Sequence, residues 1–169
     1  MIELVVGGAR SGKSRYAEQQ MLETGKQRIY LATAERLDEE MARRIEIHRQ
    51  RRASGWTTVE EPLHLGSTLT RIDGPDRCIL VDCLTLWVSN LLHAGPAISL
   101  REKKQELLDV LPGLAADVCL VSNEVGWGVV PMGELSRSFV DEAGWLQQEL
   151  ARICDRVTLI VAGLPLRLK

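Results

Sequence analysis

Near the start of the chain, the eight residues Gly7-Gly8-Ala9-Arg10-Ser11-Gly12-Lys13-Ser14 fit the pattern G-x-x-x-x-G-K-[ST]. They follow a short apolar run, Ile2 to Val6, and precede a stretch, Lys13 to Glu23, that reads as a helix. Strand, loop and helix therefore arrive in the order that a phosphate-binding loop requires. Glycines let the backbone curl until several N–H groups point at one anion, and the helix N-terminus adds its dipole to the same pocket. Lys13 can then reach the β- and γ-phosphates of a nucleoside triphosphate and offset charge in the transition state, while the Ser14 hydroxyl can sit on Mg²⁺. A partner carboxylate is expected at the tip of a neighbouring strand, and Asp82 ends the apolar run Cys78-Ile79-Leu80-Val81. Two roles suit it: holding Mg²⁺ beside Ser14, directly or through water, or capping a helix that begins near Leu84.

A second concentration of chemistry lies around His48, which is surrounded by Arg43, Arg44, Arg49, Arg51 and Arg52. The segment from Asp38 to about Arg51 reads as a helix with acidic residues in its first turn and arginines toward its last. Helical spacing lets Arg44, His48 and, if the helix persists, Arg52 share a face, with Leu37, Met41 and Ile45 as the apolar stripe of the segment. That face is either a solvated basic surface with an incidental histidine or a nucleophilic site. In the second case a neutral imidazole attacks phosphorus, and the guanidiniums bind the polyphosphate and stabilise a departing pyrophosphate. A third cluster, Asn123-Glu124-Val125-Gly126-Trp127-Gly128-Val129-Val130-Pro131, follows the apolar run Val118 to Ser122. Strand ends are where α/β sheets bind ligands, although spacing alone is also compatible with a hairpin-like connection with a structural tryptophan. His64 and His93 lack clustered partners and read as surface or helix-end residues.

Positioning these groups requires a scaffold, and the rhythm of the chain supplies one. Continuously apolar runs recur at Ile2 to Val6, Arg28 to Thr33, Cys78 to Asp82, Val118 to Ser122 and Val157 to Ala162. Such runs suit parallel strands covered on both faces, so an α/β domain is expected. A shorter strand is expected near Thr57 to Glu60, a helix from Leu63 to about Ile72, and another from Ser99 to Leu111. The last has Ser99 as N-cap with Glu102 three residues on, and Pro112-Gly113 to close it. No repeat or linker divides the 169 residues, so a single domain over residues 1–169 is expected.

Composition narrows the function classes. Lys+Arg number 21 against 23 Asp+Glu, a formal charge of −2, so anion chemistry must be local. Aromatic residues make up 4% of the chain and no extended basic stripe is present, which opposes a nucleic-acid track. The four cysteines, Cys78, Cys83, Cys119 and Cys154, form no C-x-x-C pair and read as buried free thiols. Met1 runs straight into the first strand without a leader pattern, and no apolar segment approaches the roughly 20 residues of a membrane span, so a cytoplasmic protein is expected.

Taken together, Gly7 to Arg15, Tyr30-Leu31-Ala32-Thr33-Ala34, Glu40-Met41 with Arg44-Ile45 and His48-Arg49, and Asn123-Glu124-Val125-Gly126 resemble one family. It is the bifunctional adenosylcobinamide kinase and adenosylcobinamide-phosphate guanylyltransferase of cobalamin assembly. The resemblance runs from the first strand to Ala162-Gly163-Leu164-Pro165. It implies a mostly parallel phosphate-loop sheet of the RecA type, flanked by helices, and a homotrimer. It implies two reactions: phosphorylation of the hydroxyl on the corrinoid's aminopropanol arm from ATP or GTP, then transfer of GMP from GTP onto that phosphate through a guanylylated histidine.

On this sequence the guanylylated residue maps to His48, and the resemblance makes Gly7, Gly8, Ala9, Arg10, Ser11, Gly12, Lys13 and Ser14 the triphosphate cradle. It puts Thr33, Ala34 and Glu35 beside the nucleotide, the run Arg49, Gln50, Arg51 and Arg52 on its phosphates or base, and Glu60 and Asp82 at further nucleotide positions. A corrinoid is large enough to lie across a subunit boundary, with Trp87, Trp127 and Trp145 as unranked contacts. Two rival readings remain: a phosphate-loop kinase for another small alcohol or nucleoside, and a nucleotide-dependent binding module.

Overall fold

The computed structural model describes residues 1–34 and 55–169. The expected helix from Asp38 to Arg51, with Glu35, His48, Arg49, Gln50, Arg51 and Arg52, lies outside the described residues. Seven strands form one sheet in the order β3-β2-β4-β5-β1-β6-β7. The strands are β1 (Ile2–Gly7), β2 (Gln27–Ala32), β3 (Trp56–Glu60), β4 (Arg77–Asp82), β5 (Asp117–Asn123), β6 (Arg156–Val161) and β7 (Leu164–Arg167). Every neighbouring pair is parallel except β6 and β7. The helices are α1 (Lys13–Glu23), α2 (Leu65–Ile72), α3 (Leu84–His93), α4 (Leu100–Val110), continued by a 3-10 turn over Leu111–Gly113, and α5 (Glu134–Ile153).

The continuous hydrophobicity of the central strands follows from covering both faces. Along β1, Ile2, Leu4 and Val6 join a cluster with Leu65 and Leu69 of α2, Trp87 and Leu91 of α3, Leu107 of α4 and Leu146 and Leu150 of α5. Val5 points the other way, with Tyr30, Leu80, Cys119, Val121 and Ile160, onto Ala17 and Met21 of α1. Glu3 also lies in β1 and is wholly buried. Its carboxylate accepts hydrogen bonds from Thr158 Oγ1 at 2.7 Å and Tyr16 Oη at 3.2 Å, which ties α1 to β1 and β6.

Register decides what shares a rim. Gly7 stands opposite Asn123 of β5 and Ile160 of β6. Asp82 stands opposite Val121 of β5 and Ala32 of β2, and Ala32 opposite Glu60 of β3. The carboxyl ends of these strands therefore form one edge, from which the phosphate loop, Asp82, Thr33 and the Asn123–Glu124 connection all emerge.

Most local expectations hold. Ser99 caps α4 by accepting the Glu102 N–H at 3.2 Å. α2 begins at Leu65 rather than Leu63, because the Glu61 carboxylate accepts the N–H groups of Leu63 at 3.0 Å and His64 at 2.8 Å and holds that lead-in outside the helix. All four cysteines are free and buried. Trp87 is withdrawn from the corrinoid candidates: it is wholly buried, and its indole N–H donates to the Leu63 carbonyl at 3.0 Å.

Candidate functional site: a phosphate loop against a carboxylate

Between β1 and α1 the backbone is set up for an anion. Gly12 caps α1 with φ 103°, a left-handed conformation that disfavours any side chain, and Arg10 also adopts φ 58°. At Gly7 the constraint is proximity, since a Cβ there would lie 2.5 Å from the Ile160 carbonyl oxygen. The loop is anchored from both sides: Glu124 N–H donates to the Gly7 carbonyl at 2.9 Å, and Gly163 N–H to the Ser11 carbonyl at 2.8 Å. Ser11 Oγ is buried without a hydrogen-bond partner among the described residues, a cost that an incoming phosphate oxygen would relieve.

Lys13 opens α1 with its side chain folded back over the loop, where Nζ donates to the Gly8 carbonyl at 2.8 Å. It is buried, and that burial lowers its pKa, while the nearby Asp82 charge works in the opposite direction. Lys13 and Asp82 are thus electrostatic neighbours, with Ser14 the next residue of α1.

The structure decides between the two roles weighed for Asp82 to this extent: it is not the helix cap. That position falls to Cys83, with no side-chain cap bond. The Asp82 carboxylate instead accepts a hydrogen bond from Tyr30 Oη at 3.1 Å. The following peptide is held by Thr33, whose hydroxyl donates to the Cys83 carbonyl at 2.7 Å and accepts the Cys83 N–H at 2.9 Å. Asn90 of α3 then donates from Nδ2 to the carbonyls of Thr33 at 2.8 Å and Pro62 at 3.1 Å, fastening the end of β2 to the segment after β3. The Cys83 thiol is pushed up to about 11, chiefly by burial, and is not a nucleophile here.

Of the expected site residues, those from Gly7 to Ser14, with Thr33, Ala34, Glu60 and Asp82, come to the same rim. Thr33 is wholly buried, with its hydroxyl committed to Cys83. Tyr30, Asn90 and Gly163 were not picked out for the site, and only Gly163 carried a local signal. Ala162 (φ 51°) and Gly163 (φ 80°) form the tight left-handed turn of the β6–β7 hairpin, a turn that glycine after an apolar run announces. On the neighbouring connection, Glu124 folds back to accept the Gly126 N–H at 2.7 Å, and Trp127 is 76% exposed rather than packed into the core of this chain.

The donor set suits magnesium. A serine hydroxyl and one carboxylate are hard oxygen ligands, and Mg²⁺ ordinarily combines one or two such groups with water and substrate phosphates.

A parallel sheet with this loop at the end of β1 and an acid at the end of β4 defines a P-loop NTPase fold of RecA-like form. The chain shares that fold with the RadB recombinase (TM-score 0.53, 15% identity, covering 94% of this chain and 73% of that one). It also shares it with the flagellar accessory protein FlaH from Methanocaldococcus jannaschii (TM-score 0.53, 10% identity, covering 99% and 77%). Residues 3–168 match the cobinamide kinase / cobinamide phosphate guanyltransferase family, and the chain belongs to that family of bifunctional transferases. It is 54% identical to the bifunctional adenosylcobalamin biosynthesis protein CobP of Pseudomonas aeruginosa, over 100% of this chain and 98% of that protein. It is 39% identical to the corresponding CobU of Escherichia coli, over the full length of both.

Proposed function

We propose that this chain phosphorylates the aminopropanol hydroxyl of adenosylcobinamide from ATP or GTP, and then transfers GMP from GTP onto that phosphate to give adenosylcobinamide-GDP. The observation that carries this reading is the pairing of a prepared phosphate loop, with Lys13 folded onto Gly8 and sensing the Asp82 charge, with a family match over residues 3–168. In the first reaction the corrinoid oxygen attacks the γ-phosphorus and the bond to the β-phosphate oxygen breaks. Lys13 and the loop N–H groups hold the charge that shifts onto the phosphates. Ser14 and Asp82 are the residues that would hold Mg²⁺, which when bound neutralises phosphate charge.

In the second reaction a His48 imidazole nitrogen attacks the α-phosphorus of GTP and pyrophosphate leaves. The corrinoid phosphate then displaces the histidine, so one difficult displacement becomes two. Arg49, Gln50, Arg51 and Arg52 are assigned to the nucleotide's phosphates or base, and Thr33, Ala34, Glu35 and Glu60 to its surroundings. Trp127, exposed on the connection that starts against Gly7, is assigned to the corrinoid. A single-domain chain acting as a homotrimer in the cytoplasm is the proposed form. Among the described residues no helix is long and apolar enough to cross a membrane.

The test is covalent labelling. Wild type and His48→Ala are incubated with α-³²P-labelled GTP and Mg²⁺ and quenched in alkali, which a phosphoramidate survives, whereas acid breaks it. Acid-labile label on the wild type that is lost in the variant is expected. No label on either, with GTP bound, would leave a plain phosphate-loop kinase.

A further inference from the structure

The carboxylate at the tip of β4 is not held by its own strand alone. Tyr30 stands opposite Leu80 in the β2–β4 register, and side chains alternate along a strand, so Asp82 lies two residues further on the same face as Leu80. A tyrosine is long enough to reach that diagonal neighbour, and its hydroxyl donates to Asp82 Oδ2 at 3.1 Å. The ring itself cannot drift. It is 6% exposed, belongs to the cluster that packs against α1, and meets Trp56 of β3 edge to face, with ring centroids 6.2 Å apart and planes at 86°.

A hydroxyl fixed by packing and donating to one carboxylate oxygen sets the rotation of that carboxylate and leaves the other oxygen to face outward from the strand end. We propose that Tyr30 is a positioning residue for the divalent cation: it orients Asp82 toward the cation that accompanies the nucleotide phosphates, without touching nucleotide or metal. This rests on the assignment of Ser14 and Asp82 to Mg²⁺. It singles out a residue on the strand beside β4, whose hydroxyl a phenylalanine would lack while filling the same space.

The experiment measures GDP binding by calorimetry to the full chain, first in EDTA and then across a Mg²⁺ titration, for wild type, Tyr30→Phe, Asp82→Asn and the double variant. For Tyr30→Phe the Mg²⁺ concentration that half-restores tight binding is expected to rise about tenfold, while metal-free GDP affinity stays within about twofold of wild type. Adding Tyr30→Phe to Asp82→Asn should change neither quantity further, because the carboxylate being oriented is already gone. Unchanged Mg²⁺ dependence in Tyr30→Phe, an equal loss of metal-free affinity, or an undiminished effect in the Asp82→Asn background each overturns the proposal. A wild type whose GDP affinity ignores Mg²⁺ overturns the metal assignment together with it, whereas a Mg²⁺-dependent wild type with an unaltered variant overturns the role of Tyr30 alone.

Discussion

From Gly7 to Lys13 the chain is pinned by backbone hydrogen bonds from Glu124 and Gly163 and by Lys13 folded onto Gly8, whereas the connection from Glu124 to Gly133 leaves the adjacent strand β5 at the same rim almost bare. Val129 is 95% and Met132 97% exposed there, and Trp127 stands out with them. Under the proposed function the contrast corresponds to two kinds of ligand. A triphosphate is small and highly charged, and is bound best by donors fixed before it arrives, since reorganisation would cost much of the electrostatic gain. A corrinoid is broad and carries both methyl groups and amide arms at its edge, and exposed apolar side chains such as Trp127 would meet the methyl groups, their desolvation adding to the affinity.

The largest effect should come from removing the charge at the centre of the prepared loop. Lys13→Ala is expected to lower kcat of the kinase step by about 10²–10³-fold with no loss of thermal midpoint, because the buried ammonium gains little from folding. Steady-state kinetics alongside a melting curve check both halves.

Glycine replacements set the two regions against each other directly. Gly12→Ala forces φ 103° on an alanine and brings its Cβ within 3.2 Å of Gly163 Cα, so a destabilisation of about 1–3 kcal/mol is expected, with weakened nucleotide binding. Gly128→Ala adds a Cβ with no neighbour within 4 Å, and should stay within about 0.5 kcal/mol of wild type in denaturant unfolding. Equal costs at the two positions would break the comparison.

Trp127→Ala should raise KM for the corrinoid about tenfold, a loss of about 1.4 kcal/mol, with kcat and KM for the nucleotide unchanged. A fall in nucleotide affinity of the same size would make the connection part of the phosphate site. A smaller effect concerns pH. Burial lowers the Lys13 pKa and Asp82 partly restores it, so metal-free nucleotide binding, which needs the ammonium, weakens on the alkaline side before an ordinary lysine would titrate. Asp82→Asn removes the supporting charge and should move that weakening to still lower pH. Movement upward, or none, would mean that the two groups are not coupled.

How much of this was legible in the sequence depends on whether a feature is written along the chain or across it. The phosphate loop is local: its glycines, lysine and serine must be consecutive, and they are recognisable before any fold is known. The central strands are legible for a related reason, since burial on both faces makes each an unbroken apolar run. β7 is not, because Leu164-Pro165-Leu166-Arg167 is short, holds a proline and is exposed throughout, so nothing in its composition distinguishes it from a tail. The ties from Tyr30 to Asp82 and from Asn90 to Thr33 and Pro62 depend on which strands become neighbours, and a register cannot be read from spacing. Neither the proposed trimer nor the proposed preference for guanine follows from composition or periodicity; both rest on resemblance.

On the proposed function one chain performs two transfers, and His48 serves the second alone. The most direct test gives His48→Ala adenosylcobinamide, ATP, GTP and Mg²⁺ and identifies the corrinoid products by mass spectrometry. Accumulation of the phosphate ester at close to the wild-type rate, with the GDP product reduced at least about 10³-fold as loss of a covalent nucleophile demands, is the expected result. Formation of adenosylcobinamide-GDP at an undiminished rate would contradict it.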